Sequence, residues 1–346
     1  MSDKKKKVLV GMSGGVDSTV TAKLLQDEGY EVVGVYMKLH DKPGYYEENV
    51  KRVRHVADYL EIDVSILDLS EEFDAAVYMP FVESYKRGLT PNPCAVCNRQ
   101  IKFGKMLEYA DKIGADYLAT GHYVRHDGKN ILEAVDKSKD QSYFLFDIDK
   151  SVLPRILFPL GDWLKEDVKA YAADIEALKD FALQKESSEI CFVETTYVDV
   201  LKEHMDVDMP GNVLDTEGNV IGHHKGYMHY TIGKRRGFHV RGAQEPHYVK
   251  EILPDTNEIV VTRKDTLLAT KIFIERCNLP KEIVTLECDV KIRYRTKPIR
   301  CRVTLDEKRN GLIELQEEVY GVAAGQAAVF YEGEKLLGGG WITASE

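Results

Sequence analysis

The chain is expected to fold as an α/β protein: an open, doubly wound parallel sheet, then a small central domain and a C-terminal β-barrel or sandwich. Three observations carry this. Up to about residue 150, short apolar runs of strand length alternate with segments whose apolar residues recur at the helical period. The first apolar run passes through a glycine-rich turn directly into a helix. From about residue 210, turn dipeptides such as Pro210-Gly211, Pro254-Asp255 and Asn310-Gly311 punctuate short strand-like runs.

Taken in order, Val8 to Val10 is a buried strand. Ser18 to Glu28 is a helix with Val20, Leu24 and Leu25 on one face and Gly29 as its stop. Val32 to Met37 is the second strand, Asn49 to Leu60 a second helix and Val64 to Leu69 a third strand. Glu71 to Lys86 and Arg99 to Ile113 are helices, and Tyr117 to Thr120 is a fourth strand. Strand, helix, strand at this spacing requires parallel pairing through right-handed crossovers. Ligands of such sheets bind beyond the carboxyl ends of the strands, so the loops after Val10, Met37 and Thr120 should converge. The β-rich part reads as strands over Asn257 to Thr262, Ile283 to Tyr294, Arg300 to Leu305, Gly311 to Leu315 and Ala327 to Tyr331. Boundaries near 205 and 267 divide the chain into 1–205, 206–267 and 268–346.

The 346 residues are 44% hydrophobic and 30% charged, which excludes collagen-like, low-complexity and wholly disordered classes. No apolar run reaches the roughly 20 residues of a membrane span, and Met1 to Lys7 is basic but lacks a signal-peptide core. Six unevenly spaced cysteines fit a reduced cytoplasmic protein. Cys277, Cys288 and Cys301 read as small core residues. The net charge of −10 argues against nucleic-acid binding only if taken whole. Residues 223–302 carry 17 Lys/Arg against 9 Asp/Glu, a local +8, and Lys291 to Arg302 holds six cations and no acid. Such clusters can neutralise phosphates, and Tyr294 lies where it could stack on a base.

Gly11-Met-Ser-Gly-Gly-Val-Asp-Ser18 is built to hold an anion. Small residues let backbone N–H groups converge, Ser13 and Ser18 add hydroxyls, and a helix N-terminus follows. It carries neither a Walker lysine nor the Gly-x-Gly-x-x-Gly of a dinucleotide fold. Ser13 to Ser18 resembles the loop of the ATP-pyrophosphatases, which form adenylates and release pyrophosphate. Cys94-x-x-Cys97 lies on a proline-stiffened loop before a helix, and Cys191 lies in Ser187-Ser-Glu-Ile-Cys-Phe192. A structural zinc site would need a further Cys or His pair nearby, and there is none.

Thr90 to Lys102, Thr-Pro-Asn-Pro-Cys-Ala-Val-Cys-Asn-Arg-Gln-Ile-Lys, is similar to the signature loop of the tRNA-specific 2-thiouridylases, the MnmA/TrmU family. The resemblance continues through Ala119 to Tyr123, Lys139 to Phe144, Glu189 to Phe192, His229 to Gly237, Arg293 to Arg295 and Gly325 to Ala327. It implies a PP-loop catalytic domain, tRNA-binding central and barrel domains, and 2-thiolation of the wobble uridine in tRNAs for Lys, Glu and Gln. By this resemblance Gly11, Met12, Ser13, Gly14, Gly15, Val16, Asp17, Ser18, Met37 and Gly121 bind ATP, with Mg2+. Asn92, Pro93 and Cys94 approach the target base, and His122, Lys139, Asp140, Gln141, Arg293, Tyr294 and Gln326 touch tRNA. Cys97 completes sulfur release and Cys191 carries a persulfide, with a Cys97–Cys191 disulfide left after transfer.

The partners implied are tRNA and a cysteine desulfurase or sulfur relay, acting on a cytoplasmic monomer. Many family members have Asp where this chain has Cys94, and a thiol of ordinary pKa about 8.5 does not replace that carboxylate. A second sulfur route therefore stays open, in which Cys94, Cys97 and Cys191 hold a 4Fe–4S cluster that binds hydrosulfide. The segment Lys38 to Asn49 is also shorter than the family pattern. Two further readings compete: a PP-loop ligase acting on a small metabolite, and a non-catalytic tRNA-binding protein.

Overall fold

The computed structural model describes residues 5–40, 45–183 and 190–346. Ser187 to Glu189, the first half of the motif around Cys191, lie outside the described residues, as do Asp41 to Gly44 in the short segment after the second strand. The chain divides into two compact units. The first gathers residues 1–77, 94–186 and 334–337, and the second gathers 78–93, 187–333 and 338–346.

The first unit contains the doubly wound sheet. Strand β1 (Lys7–Gly11) leads through the glycine-rich turn into helix α1 (Val16–Asp27), then β2 (Glu31–Lys38), helix α2 (Tyr45–Leu60) and β3 (Val64–Asp68). After a helical stretch come β4 (Tyr117–Ala119), the hairpin β5 (Val124–His126) and β6 (Ile131–Glu133), and β7 (Ile156–Leu157). The sheet order is β3-β2-β1-β4-β7 with every pair parallel. Val8, Leu9 and Val10 are all fully buried, because helices cover both faces of the central strand. They share a core with Val20, Leu25, Val53, Val56, Leu160 and Val168 (Leu9 apart, which lies on the other face). Strand β1 is where the winding reverses: β2 lies on one side of it and β4 on the other. The carboxyl ends of β2, β1 and β4 therefore lie side by side, as the alternation predicts.

The second unit is β-rich. One five-stranded sheet runs β10-β9-β8-β12-β11, built from β8 (Gly211–Leu214), β9 (Val220–His224), β10 (His239–Val240), β11 (Tyr248–Leu253) and β12 (Glu258–Thr262). Beyond it β13 (Leu268–Glu275), β14 (Thr285–Lys291), β15 (Ile299–Leu305), β16 (Gly311–Tyr320), β17 (Ala327–Glu332) and β18 (Lys335–Ser345) run in the order β13-β16-β15-β14-β17-β18. Pairing of β13 with β18 closes these six strands into a barrel.

Three expectations need correction. Strand β14 stops at Lys291 rather than running to Tyr294. Arg293 and Tyr294 instead lie in a turn, where Thr296 Oγ1 donates to Arg293 O at 2.8 Å. The two loop cysteines are not ahead of a helix but in one, Pro93–Cys97, which continues through Asn98–Lys105 into Met106–Lys112. Pro93 begins that helix, a position where a missing N–H costs nothing. Leu268–Glu275 and Lys335–Ser345 are strands that turn signals and apolar runs do not mark.

Candidate active site

The turn after β1 is shaped to leave donors free. Gly14 has φ +80°, and a Cβ there would lie 3.3 Å from Asn49 O. Gly15 caps α1 in an extended conformation and has no side chain to cap it, so the N-cap position leaves the first helical N–H groups available. Ser18 Oγ accepts from Ser13 N at 3.1 Å and donates to Gly15 O at 3.1 Å, which fixes the curve of the loop. Ser13 itself is exposed. Gly121 follows β4, and a Cβ there would come within 3.0 Å of Asp17 C and Ser18 N. Only a residue without a side chain lets the β4 loop close on the start of α1. Half-buried Met37 lies near the carboxyl end of neighbouring β2. The residues assigned to ATP are thus assembled along one edge of the sheet.

Two residues at this edge, Tyr123 and Lys165, received no role from the sequence. Asp17 Oδ1 accepts from Lys165 Nζ at 2.5 Å and from Tyr123 Oη at 2.7 Å. The Lys165 side chain is 11% exposed, so its charge is held largely out of water beside an anion-binding turn. No local pattern marks Lys165, because its partner lies 148 residues away.

His122 is buried. Its Nδ1 lies 2.7 Å from Thr120 Oγ1 and its Nε2 3.4 Å from Lys102 Nζ. Burial, then the Lys102 charge, pushes its pKa well below the ordinary histidine value. The imidazole is neutral: Nε2 accepts from Lys102, so Nδ1 carries the proton toward Thr120. Below about pH 6.5 the unfolded chain takes up a proton that the folded chain does not. His122 should therefore cost stability as the pH falls from its unfolded value toward its lowered folded value. The NMR signals of its ring should titrate only below the ordinary histidine range, and His122→Phe should lessen the acid dependence of unfolding.

Lys102 also ties the cysteines to this edge, since it lies five residues beyond Cys97 on the continuous helical stretch. Cys97 is buried and Cys94 half-buried. Asn98 Nδ2 donates to Phe144 O at 3.0 Å and holds the helix to the segment that follows Lys139 to Gln141. Within that segment Asp140 is buried and accepts from Ala134 N and Ser142 Oγ, while Gln141 Oε1 accepts from Tyr123 N at 2.9 Å. Lys139 is half-buried.

In the second unit Asn92 and Pro93 are buried. Gln326 Nε2 donates to Thr90 O and Pro91 O, at 3.1 and 2.9 Å, and so fastens the approach to that loop. Arg293 Nη2 donates to Ile232 O at 3.2 Å, and the Arg295 guanidinium lies over the Tyr294 ring at 5.9 Å. Cys191 is exposed, while its neighbour Phe192 is buried against Tyr78 and Phe81. Among the described residues no three His, Cys, Asp or Glu side chains are gathered as metal ligands. Nor is any described helix long and apolar enough to cross a membrane.

Residues 6–195 match a family model described as the tRNA methyl transferase HUP domain, 198–263 the tRNA methyl transferase PRC-barrel domain, and 264–342 an aminomethyltransferase beta-barrel domain. The tRNA-specific 2-thiouridylase MnmA of Sulfurimonas denitrificans is 58% identical over 338 residues, which cover 97% of this chain and 98% of its own. The chain belongs to the MnmA family. The MnmA proteins of Nitratiruptor sp. and Campylobacter jejuni, at 57% and 56% identity, are likewise covered over 99% of their lengths. A solved 4-thiouridine synthetase–RNA complex with bound ATP aligns at TM-score 0.37 and 17% identity, over 54% of this chain and 45% of that one. The MnmA family assignment rests on the relatives alone.

Proposed function

We propose that this chain activates the C2 oxygen of the wobble uridine in tRNAs for Lys, Glu and Gln as an adenylate and replaces that oxygen with sulfur. The observation that carries the reading is the donor-rich turn at the sheet's winding reversal, joined through His122 and Lys102 to the helix that bears Cys94 and Cys97. The family models' descriptions speak of methyl transfer. A methyl transferase has no need of a turn built to receive phosphates, whereas adenylation does.

In this reading the uridine oxygen attacks the α-phosphorus of ATP, and pyrophosphate leaves onto the N–H groups of the turn and Ser13. Magnesium arriving with the nucleotide would neutralise phosphate charge. Asp17 Oδ2 is the carboxylate oxygen left for it, because Oδ1 already holds Lys165 and Tyr123. The terminal sulfur of a Cys191 persulfide attacks C2 and AMP leaves. The Cys97 thiolate then attacks Cys191 Sγ, which releases the 2-thiouridine and forms a Cys97–Cys191 disulfide. A cellular dithiol resets it, and a desulfurase or relay protein reloads Cys191. The partition 1–205, 206–267 and 268–346, a monomeric state and a cytoplasmic location belong to the same proposal. The competing cluster route uses the same cysteines and requires iron and sulfide in anaerobically purified, active protein.

Pyrophosphate release from ATP tests the reading. Release that depends on cognate tRNA supports it. Release without tRNA identifies a ligase of small metabolites, and none under any condition identifies a tRNA-binding protein without catalysis.

A further inference from the structure

The second unit holds a cleft of about 760 Å³ that none of these roles uses. Its walls are the helix Tyr197–Lys202, the segment from Lys225 to Lys234, and Tyr85. The aromatic side is rigid: Tyr85 and Tyr197 stack at 4.3 Å with 11° between their planes. Three lysines line the cleft, Lys202, Lys225 and Lys234, against a single carboxylate, Asp199. That carboxylate is already committed, since it accepts from Thr196 N and Thr196 Oγ1 in the helix cap.

The three cations are not equivalent. Lys202 is paired with Asp208 at 2.8 Å. Lys234 donates to His229 O at 2.6 Å and lies over the Tyr230 ring, so its position is set from within the protein. Lys225 is exposed and has no ion pair among the described residues. The Tyr197 hydroxyl is buried without a hydrogen-bond partner, a donor left over in a cleft of surplus positive charge. Ile190 and Val193, which flank Cys191 in the chain, form part of the same lining.

We propose that this cleft seats a phosphodiester of the tRNA strand, held by Lys225 and Lys234 with the nucleoside against Tyr85 and Tyr197. The volume lies within the range of nucleotide-sized sites and far exceeds that of a lone phosphate. The electrostatics agree: burial, then the Lys225 charge, lowers the pKa of Lys234, a strain that a bound anion relieves. The site rests on the tRNA reading above and deepens it, because a phosphate fixed here brings the strand past Cys191.

The test is equilibrium binding of the full chain to cognate tRNA over a range of salt, with ATP binding as control. Lys225→Gln should weaken tRNA binding on the order of tenfold and reduce the log–log salt slope by about one. Lys225→Glu should do more, and ATP affinity should not change. Tyr197→Phe should weaken tRNA binding with the salt slope intact. If Lys225→Gln and Lys225→Glu bind tRNA as the unaltered chain does, the cleft proposal is overturned while the thiolation reading stands. Inorganic pyrophosphate that binds the unaltered chain but not Lys225→Gln, with tRNA affinity equal in both, identifies a site for free phosphates and also overturns it. An unaltered chain that fails to bind tRNA overturns both.

Discussion

Cys191→Ser should abolish thiolation, with a loss on the order of 10³-fold or more, because the substitution removes the atom that carries the sulfur. Affinity for tRNA should be nearly unchanged. The Cys191 side chain is exposed, and Phe192 anchors its segment in the Tyr78–Phe81 aromatic cluster. Pyrophosphate release in the presence of tRNA should persist, since adenylation precedes sulfur transfer. The companion variant Cys97→Ser should fail at a different step. Sulfur reaches C2 but Cys191 is not released, so tRNA should accumulate on the protein through a bond that added dithiol cleaves. If Cys191→Ser instead loses tRNA affinity, that cysteine is structural. If Cys97→Ser turns over normally, the disulfide step is wrong.

Asp17→Asn should be the most damaging change in the nucleotide-binding turn. It replaces a carboxylate that accepts two hydrogen bonds, from Lys165 and Tyr123, and leaves the lysine charge without its counterion. Hydrogen bonds to charged groups are worth about 1.5–3 kcal/mol each, and the third-exposed Asp17 side chain argues for the low end of that range. The melting temperature of the first unit should fall by about 3–8 °C, and tRNA-dependent pyrophosphate release by at least about 100-fold. The double variant Asp17→Asn/Lys165→Met separates the two effects, because removing the orphaned cation should restore much of the stability and none of the activity. Recovery of both would mean that the pair serves folding alone.

The nucleotide edge is legible in the sequence because its determinants are local. One apolar strand, one glycine-rich turn and one helix start lie within twenty residues, and the parallel alternation then orders the sheet. Contacts that span the chain are not legible. Lys165 reaches Asp17 from a helix start that shows only an ordinary Lys-Glu-Asp run. The last strand hides behind Gly338-Gly-Gly340, which reads as a turn. In the barrel those glycines mark close approach: a Cβ on Gly338 would lie 2.6 Å from Asn278 Oδ1, and one on Gly340 would lie 2.9 Å from Ile274 Cδ1. Arg293 and Tyr294 read as strand because the apolar alternation of β14 continues through Ile292, where the chain in fact turns. Net charge misleads in the same way. The overall −10 is acidic, but two of the lysines that face Tyr85 and Tyr197, Lys225 and Lys234, come from the stretch with a local excess of eight.

The most direct test of the central claim is mass spectrometry of the wobble nucleosides in tRNAs for Lys, Glu and Gln from cells that lack this protein. The account predicts that 2-thiouridine derivatives disappear from that position, that oxygen-containing counterparts replace them, and that the unaltered gene restores them while the Cys191→Ser form does not. Wobble uridines that keep their sulfur in those cells would contradict it.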